Sequence, residues 1–329
     1  MPLRFSRWSC LAAMGLAAPA FAVTVTDHTL ARPEGPRHYI AVEADGKPRA
    51  QRPVLILLHG HGASAAAMVG LASLAGYRTQ AWPTLAQREN ILLLAPDGVK
   101  ASDGKQSWND CRSDAPTNTK VDDVGLIAEL IDTAISRFGA DPARIYVFGV
   151  SNGGAMAYRA GIELAPQLAA IGVQSGLMAV KTTCPAPVHP LPVFIEHGTA
   201  DTIVPYAGGQ VGNWFLRGRG ATLGTEQTVA IWRQLAGLSD TPAVYRYPHL
   251  HPDDPTSATR YVWGADPAHV QIEFLKIEGG GHVEADMSNT LPWLLRKLVG
   301  EMNHDVDTAD EAWSFFKTKR KAAAAPPSP

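Results

Sequence analysis

The chain has 329 residues, of which 46% are hydrophobic and 18% are charged, and its formal net charge is -2. This composition is typical of a globular protein whose core is large enough to be stable without structural staples. The near-neutral charge gives no electrostatic reason to expect binding of nucleic acid or of an anionic membrane surface.

The first 22 residues predict a cleaved secretory signal peptide. Arg4 and Arg7 form a positive start, residues 10–18 are apolar, and residues 20–22 (Ala-Phe-Ala) fit a signal-peptidase site. The apolar run is too short to span a bilayer as a mature helix. A lipoprotein anchor at Cys10 is the alternative, but the residues before it form a poor lipobox.

We therefore expect a secreted protein, periplasmic or extracellular, in which residues 23–321 form one folded domain. Residues 322–329 contain only alanine, proline and one serine, and we expect them to be disordered. No other apolar run approaches the roughly 20 residues that a membrane helix needs, so no membrane span is expected.

Two cysteines remain after removal of the signal peptide, Cys111 and Cys184. An even pair in a chain directed to an oxidising compartment predicts a disulfide. This disulfide would close a loop of about 70 residues, and on the chain-entropy model closing such a loop stabilises the fold by roughly 4 kcal/mol. Two separate free thiols are the alternative, and the lack of a C-x-x-C pattern argues against a zinc site.

Apolar strand-like runs alternate with helical patterns along the chain. Most runs lack polar alternation, as expected for strands that are buried on both faces of a parallel sheet. This order predicts one doubly wound α/β domain, with its chemistry at the carboxyl ends of the strands. Residues 247–267 have no clear period and are interpreted as an irregular excursion near the site. The predicted strands are 54–58, 91–95, 145–148, 170–173, 193–196 and 270–277, and the predicted helices are 122–138, 153–164, 225–235, 289–299 and one that begins at 307–308.

A G-x-S-x-G motif at residues 149–153 lies between a predicted strand and a predicted helix. A sharp turn in this context exposes the serine hydroxyl and requires small residues on both sides of it. The motif predicts Ser151 as a nucleophile and the backbone N–H of Asn152 as an oxyanion donor at a helix N-terminus. An inert turn is the alternative, and the flanking strand and helix argue against it.

A serine nucleophile needs a base, and the base needs an acid that orients it. His282 follows a Gly-Gly-Gly turn after the last predicted strand, and Asp201 follows the strand before it. The order serine, aspartate, histidine is the order of the α/β hydrolases. Glu196 and Asp254 are alternative acids, but Glu196 lies inside a strand and Asp254 lies in the irregular segment.

A second oxyanion donor is expected on the loop after the first buried strand, where residues 59–62 read His-Gly-His-Gly. Its glycines allow the backbone to approach a substrate closely, and the backbone N–H of His61 is the predicted donor. The pair His59 and His61 is also compatible with a metal, but no carboxylate or cysteine lies nearby in the sequence. We therefore predict no metal and no other cofactor.

Six blocks of sequence extend these motifs. They are LLHGHG at 57–62, SWND at 107–110, VDDVGLI at 121–127, FGVSNGGAMAYR at 148–159, HGTADTIVPYAGG at 197–209 and GGGH at 279–282. In this order they resemble the secreted feruloyl-esterase and poly(3-hydroxybutyrate)-depolymerase branch of the α/β hydrolases, over residues 35–318. The resemblance implies a serine esterase with Ser151, Asp201 and His282 as its catalytic triad.

The resemblance also implies that His61 and Asn152 are the oxyanion donors and that Trp108 lines the substrate cleft. A core position for Trp108 fits the sequence equally well. One departure follows His282, where the chain reads Val283-Glu284-Ala285-Asp286 and the family often has an aromatic-proline pair. Because of this departure, the resemblance does not predict which residues line the leaving-group side of the cleft.

The implied reaction is two-step acyl transfer on small or oligomeric esters, with feruloyl, acetyl and short hydroxyalkanoate esters all compatible with the sequence. A serine peptidase of the same fold is one alternative, and a non-catalytic relative that binds a carbohydrate or lipid is another. The sequence predicts neither the preferred ester nor the oligomeric state.

Overall fold

The computed structural model of the protein describes residues 22–73, 77–212 and 216–321. The predicted signal peptide, apart from Ala22, and the predicted Ala/Pro tail lie outside the described residues. Within the described ranges, none of the helices combines the length and the apolar character that crossing a membrane requires.

A ten-stranded sheet positions the rest of the molecule. Its strands, numbered along the chain, are β1 (Val23–Arg32), β2 (Gly35–Ala44), β3 (Val54–Leu58), β4 (Leu92–Pro96), β5 (Ile145–Val150), β6 (Ala170–Gln174), β7 (Val193–Gly198), β8 (Ala243–Arg246), β9 (Ser257–Trp263) and β10 (Ile272–Glu278). They lie in the order β1-β2-β4-β3-β5-β6-β7-β10-β9-β8. The strands from β4 to β10 in this order are mutually parallel, and the outer strands pair antiparallel.

The helices of the described ranges are α1 (Ala65–Met68), α2 (Ala81–Glu89), α3 (Asp123–Phe138), α4 (Asn152–Glu163), α5 (Thr225–Leu235), α6 (Trp293–Val299) and α7 (Thr308–Phe316), with a 3-10 turn at Ala165–Gln167. Two short strand pairs lie outside the main sheet. They are Val99–Lys100 with Gln106–Ser107, and Gly209–Gln210 with Ala221–Thr222.

Helices cover both faces of the sheet because alternate residues of a strand point to opposite sides. In β3, Leu55 and Leu57 belong to one buried cluster, together with Trp82 of α2 and Phe315 of α7. Ile56 belongs to the other cluster, which also contains side chains of α3 and α4. Burial on both faces explains why the central strands are continuously apolar. The predicted doubly wound, mostly parallel α/β sheet is confirmed.

Local capping groups begin or end two of the predicted helices. Asp122 accepts the N–H of Gly125 at 2.9 Å at the start of α3, and Gly139 ends this helix with a φ of 66°. Asp307 accepts the N–H of Ala309 at 3.0 Å at the start of α7. Helix bounds set by local capping groups could therefore be predicted within one or two residues.

Helix α6 is shorter than the predicted span of 289–299, since it begins at Trp293. Asp286 Oδ1 accepts the N–H groups of Ser288 and Asn289 at 2.8 and 3.0 Å. These bonds hold the chain in an Asx-type turn, which competes with helix formation. Pro292 then directly precedes the helix.

Two outer parts of the sheet differ from the sequence expectation. Residues 257–263, interpreted as part of an irregular excursion, form β9 and pair with β10 along their whole length. The interpretation was wrong for this part because three prolines at 248–255 obscure the β-branched and aromatic run that follows them. The hairpin of β1 and β2 was not predicted either, although β1, at the sheet edge, alternates polar and apolar residues as a half-exposed strand does.

Candidate active site

Ser151 lies on a sharp bend between β5 and α4. Its backbone has φ 57° and ψ -117°, a region that a non-glycine residue adopts only under strain. A Cβ atom at Gly149 would lie 2.0 Å from the carbonyl oxygen of Gly153, and one at Gly153 would lie 2.2 Å from that of Leu58. Small flanking residues are therefore a steric requirement of this bend, as the motif predicts.

His282 is held by the glycine loop that follows β10. Its ring Nδ1 lies 2.7 Å from Asp201 Oδ2, and its backbone N–H donates to the carbonyl of Val299 at 2.6 Å. A Cβ atom at Gly281 would lie 2.1 Å from the same Val299 oxygen. The close approach that glycine permits thus delivers the imidazole to the carboxylate.

Asp201 lies just after β7, and its carboxylate is fully buried. Oδ1 accepts the N–H groups of Ile203 and Val204, both at 2.8 Å, and Oδ2 faces His282 and, at 3.2 Å, Nε2 of His197. Burial alone would raise the pKa of Asp201, but the two histidines outweigh burial and hold its pKa well below the usual range. An ionised Asp201 suits the task of fixing the tautomer of His282, with Nε2 left as the basic atom.

The two alternative acids, Glu196 and Asp254, contact residues other than His282. Glu196 accepts the hydroxyl of Thr308 at 2.9 Å and the N–H of Ala285 at 3.3 Å, and burial raises its pKa to about 8. Asp254 Oδ2 lies 2.8 Å from Nδ1 of His304. Among the described residues, Asp201 is thus the acid whose carboxylate contacts His282.

Two backbone N–H groups near Ser151 are the candidate oxyanion donors. Asn152 is the first residue of α4, so its N–H has no acceptor within the helix. The loop that carries His61 packs directly on the bend at Ser151, since a Cβ atom at Gly60 would lie 3.4 Å from Cβ of Ser151. Asn152 directly follows Ser151 in the chain, and His61 lies on the wall of the same cleft as Ser151.

The buried side chain of His59 holds the loop of residues 59–62 in place. It is fully buried, its Nδ1 lies 2.7 Å from the Gly60 carbonyl oxygen, and its Nε2 accepts the N–H of Gly98 at 2.9 Å. Burial lowers the pKa of His59 to about 4, so the ring is neutral with its proton on Nδ1. Because the peptide unit is planar and trans, fixing the Gly60 carbonyl also fixes the direction of the His61 N–H.

The Trp108 side chain is fully buried in the core, so the prediction that it lines the cleft is wrong. Its Nε1–H donates to the His59 carbonyl at 2.8 Å, and its backbone N–H donates to Oδ1 of Asn152 at 2.8 Å. Asn152 also donates to Asp110, which in turn pairs with Arg112. The SWND block therefore connects the loop of residues 59–62 to the start of α4, a role that sequence order alone does not reveal.

Cys111 and Cys184 form a disulfide with a Cα–Cα distance of 5.3 Å, in agreement with the prediction. Among the described residues, these cysteines and Glu163 are a cluster with metal-binding geometry, but sulfurs joined in a disulfide are not thiolate ligands. The His61 side chain is likewise engaged, since its Nε2 lies 2.8 Å from Asp103 Oδ2.

A mostly apolar cleft of about 260 Å³ opens beside the site. Both Ser151 and His282 lie on its wall, as does Val283, the residue that departs from the family pattern. Burial raises the pKa of Glu284 in this wall to about 7, and the Trp82 N–H donates to its carboxyl at 3.1 Å. Sequence reasoning missed most of the wall, because its residues come from distant segments: Met68, Tyr77, Lys105, Ile203, Leu216, Arg219, Glu284, Leu291, Leu295 and Val299.

Known esterases resemble this chain in sequence and in fold. Feruloyl esterase B of Piromyces equi is 28% identical over 206 residues, which are 61% of this chain and 35% of that protein. Poly(3-hydroxybutyrate) depolymerase of Ralstonia pickettii is 28% identical over 201 residues, which are 60% of this chain and 39% of that protein. The chain thus spans well under half the length of these two relatives.

Among solved structures, the acetyl xylan esterase from Aspergillus awamori matches with a TM-score of 0.57 and 13% identity, over 89% of this chain and 99% of that one. At this identity the match shows the α/β-hydrolase fold alone. The model of the phospholipase/carboxylesterase family matches residues 38–228, which is more than half of the chain. The chain therefore belongs to the phospholipase/carboxylesterase family and is a carboxylic ester hydrolase of the α/β-hydrolase fold.

Proposed function

We propose that the protein is a secreted serine esterase that hydrolyses feruloyl-type, acetyl or short hydroxyalkanoate esters through an acyl-enzyme on Ser151. The observation that carries this proposal is that His282, which contacts the buried Asp201 at 2.7 Å, lies on the wall of the same cleft as Ser151. The names of the relatives supply the ester classes.

In the proposed mechanism, the Ser151 hydroxyl attacks the ester carbonyl while Nε2 of His282 takes its proton. The N–H groups of His61 and Asn152 donate to the oxyanion that develops. His282 then protonates the oxygen of the leaving alcohol. Water, activated by His282, attacks the acyl-enzyme and releases the acid.

Secretion is supported by the N-terminal sequence and by the disulfide between Cys111 and Cys184, which is stable in an oxidising compartment. The test is to express the full chain in a bacterial host and to compare the mass of the protein in the cytoplasm and in the periplasm or medium. Secretion predicts an exported form that begins at Val23. A chain that stays in the cytoplasm at full mass contradicts it.

Covalent labelling tests the serine mechanism. A fluorophosphonate probe should modify the purified protein at a single peptide that contains Ser151, because only an activated serine reacts with it. Ser136→Ala, a change of an exposed hydroxyl on α3, is the matched control and should be labelled normally. A protein that does not react, or that reacts equally as Ser151→Ala, would instead indicate a non-catalytic relative or another nucleophile.

A further inference from the structure

One short helix, α6, exposes several large apolar side chains to solvent. Trp293 is 66% exposed, Leu294 is 64% exposed and Leu298 is 41% exposed. Among the described helices, α6 is the one that carries large apolar side chains at this level of exposure. Single exposed apolar residues are common on protein surfaces, whereas a group of them marks a site of interaction. We call these three side chains the α6 patch.

The α6 patch adjoins the wall of the large cleft. Leu295 and Val299 lie on this wall, which also contains Ser151. In a helix of about 3.6 residues per turn, the stripe of Leu294 and Leu298 lies directly beside this pair. One apolar surface therefore leads from the solvent to the cleft.

Helix α6 is also fixed relative to the proposed catalytic base. The carbonyl of Val299, the last residue of the helix, accepts the backbone N–H of His282 at 2.6 Å. Leu295 is buried, so the helix is also anchored by its middle turn. A surface that binds the α6 patch is therefore held beside the opening of the cleft.

Charge indicates what kind of surface the α6 patch fits. Arg296 and Lys297 are the charged residues of α6, and Arg296 lies 3.6 Å from Glu301. Anionic lipid surfaces attract clusters of roughly four to eight basic residues, whereas a single lysine beyond an ion pair adds little. The chain as a whole has a formal net charge of -2. The α6 patch is therefore complementary to an uncharged apolar phase rather than to an anionic membrane.

A second copy of the chain is a less suitable occupant of this surface. Because the α6 patch adjoins the cleft that contains Ser151, a protein bound there would restrict the access of esters to the site. A phase made of ester molecules would instead supply substrate to it.

We propose that the α6 patch adsorbs the protein on the surface of a water-insoluble, uncharged ester, and that ester molecules pass from this surface into the cleft. Adsorption removes the apolar side chains from water, which is favourable in proportion to the area that is buried. The inference rests on the proposed serine esterase function and narrows its substrate class to esters that form a separate apolar phase.

Binding to tributyrin droplets tests the role of the α6 patch. The protein is first treated with diisopropyl fluorophosphate, so that the droplets are not hydrolysed, and the bound fraction is measured after the droplets have been floated by centrifugation. The double variant Trp293→Gln and Leu294→Gln removes two apolar side chains and keeps the charge of the helix. We expect its binding constant for the droplets to be about 10- to 100-fold lower than that of the parent.

The matched control is the double variant Val188→Gln and Tyr245→Gln. These side chains are 68% and 55% exposed, and they lie on the loop before β7 and on the edge strand β8. The control should bind the droplets as the parent does. Both double variants should hydrolyse dissolved 4-nitrophenyl acetate at the parent rate, since none of the four residues lies on the wall of the cleft. Circular dichroism verifies that both variants fold.

Equal binding of the parent and of the variant in α6, or no binding of the parent, overturns the proposal. So does tighter binding to phosphatidylglycerol vesicles than to droplets of the same surface area, which would indicate a membrane partner. A dimer in sedimentation velocity that dissociates in the α6 variant would indicate a second copy of the chain and would also overturn it. Droplet binding by a protein that hydrolyses neither ester and does not react with a fluorophosphonate would instead refute the proposed esterase function.

Discussion

His197 Nε2 lies 3.2 Å from Oδ2 of Asp201, the same carboxylate oxygen that faces Nδ1 of His282 at 2.7 Å. Nε2 of His197 also lies 2.9 Å from the Val204 carbonyl, and its Nδ1 lies 3.0 Å from the hydroxyl of Thr225. Asp201 is therefore fixed from two sides by buried groups. This arrangement leaves His282 as the partner of Asp201 that reaches the cleft.

Replacing Asp201 with asparagine should reduce kcat by about 10⁴-fold, as in a related triad, because an amide disfavours the required tautomer of His282. The measurement is the hydrolysis of 4-nitrophenyl acetate, with circular dichroism to verify folding. Asp254→Asn is the control, since Asp254 pairs with His304. Equal losses in the two variants would argue against Asp201 as the triad acid.

Replacing His59 with alanine should lower kcat by roughly 10²-fold with little change in KM, because the His61 N–H loses its fixed direction. The measurement is a comparison of kcat and KM on one ester. His61→Ala is the control: it removes a side chain that contacts Asp103 but keeps the backbone N–H, so its kcat should fall less. A His59→Ala protein that folds and keeps the parent kcat would contradict this role.

The stability of the protein should fall as pH rises from about 4.5 to about 8, in part because of Glu196. Burial raises the pKa of Glu196 to about 8, so the folded state holds a proton there that the unfolded chain loses near its ordinary pKa. The stabilisation from this proton is complete below the unfolded pKa and is lost as pH rises through the folded pKa.

Glu196→Gln imitates the protonated carboxyl and should flatten this dependence, so that the variant gains stability relative to the parent at pH 8 to 9. Urea unfolding at pH 5, 7 and 9 gives the free energy of unfolding at each pH. Asp132→Asn, a change of an exposed carboxylate on α3, should keep the parent's change of unfolding free energy with pH. An unchanged slope in Glu196→Gln would show that this carboxyl does not titrate in the range.

Removing the disulfide should lower the free energy of unfolding by about 4 kcal/mol, since it joins residues separated by 73 positions. The variant is the double change Cys111→Ser and Cys184→Ser, measured by urea unfolding. Dithiothreitol should destabilise the parent by a similar amount and leave the double variant unaffected. A parent protein that is insensitive to the reductant would contradict a stabilising role for this bond.

The parts of the site that follow from local sequence could be predicted. The bend at Ser151 and the loop before His282 require glycines at fixed neighbouring positions, and such requirements are visible in the chain. Trp108 could not be placed, because its burial depends on contacts with His59 and Asn152, which are far from it in sequence. For the same reason, the position of Arg219 near Ser151 could not be predicted, because the two residues are far apart in sequence and only the fold brings them together.

The same distinction holds for the fold. The continuously apolar central strands were predicted because burial on both faces leaves a clear signal. The outer strands β1 and β9 were missed, since β1 lies at the sheet edge and most residues of β9 are incompletely buried, so their composition is constrained less. Strand pairing at the rim of a sheet depends on tertiary context more than on composition.

The rate at which purified Ser151→Ala protein hydrolyses 4-nitrophenyl acetate tests the serine mechanism most directly. We predict a fall in kcat of about 10⁶-fold, as for loss of the nucleophile in a comparable triad, with the circular dichroism spectrum unchanged. A folded Ser151→Ala protein that turns over this ester at the parent rate would contradict the mechanism.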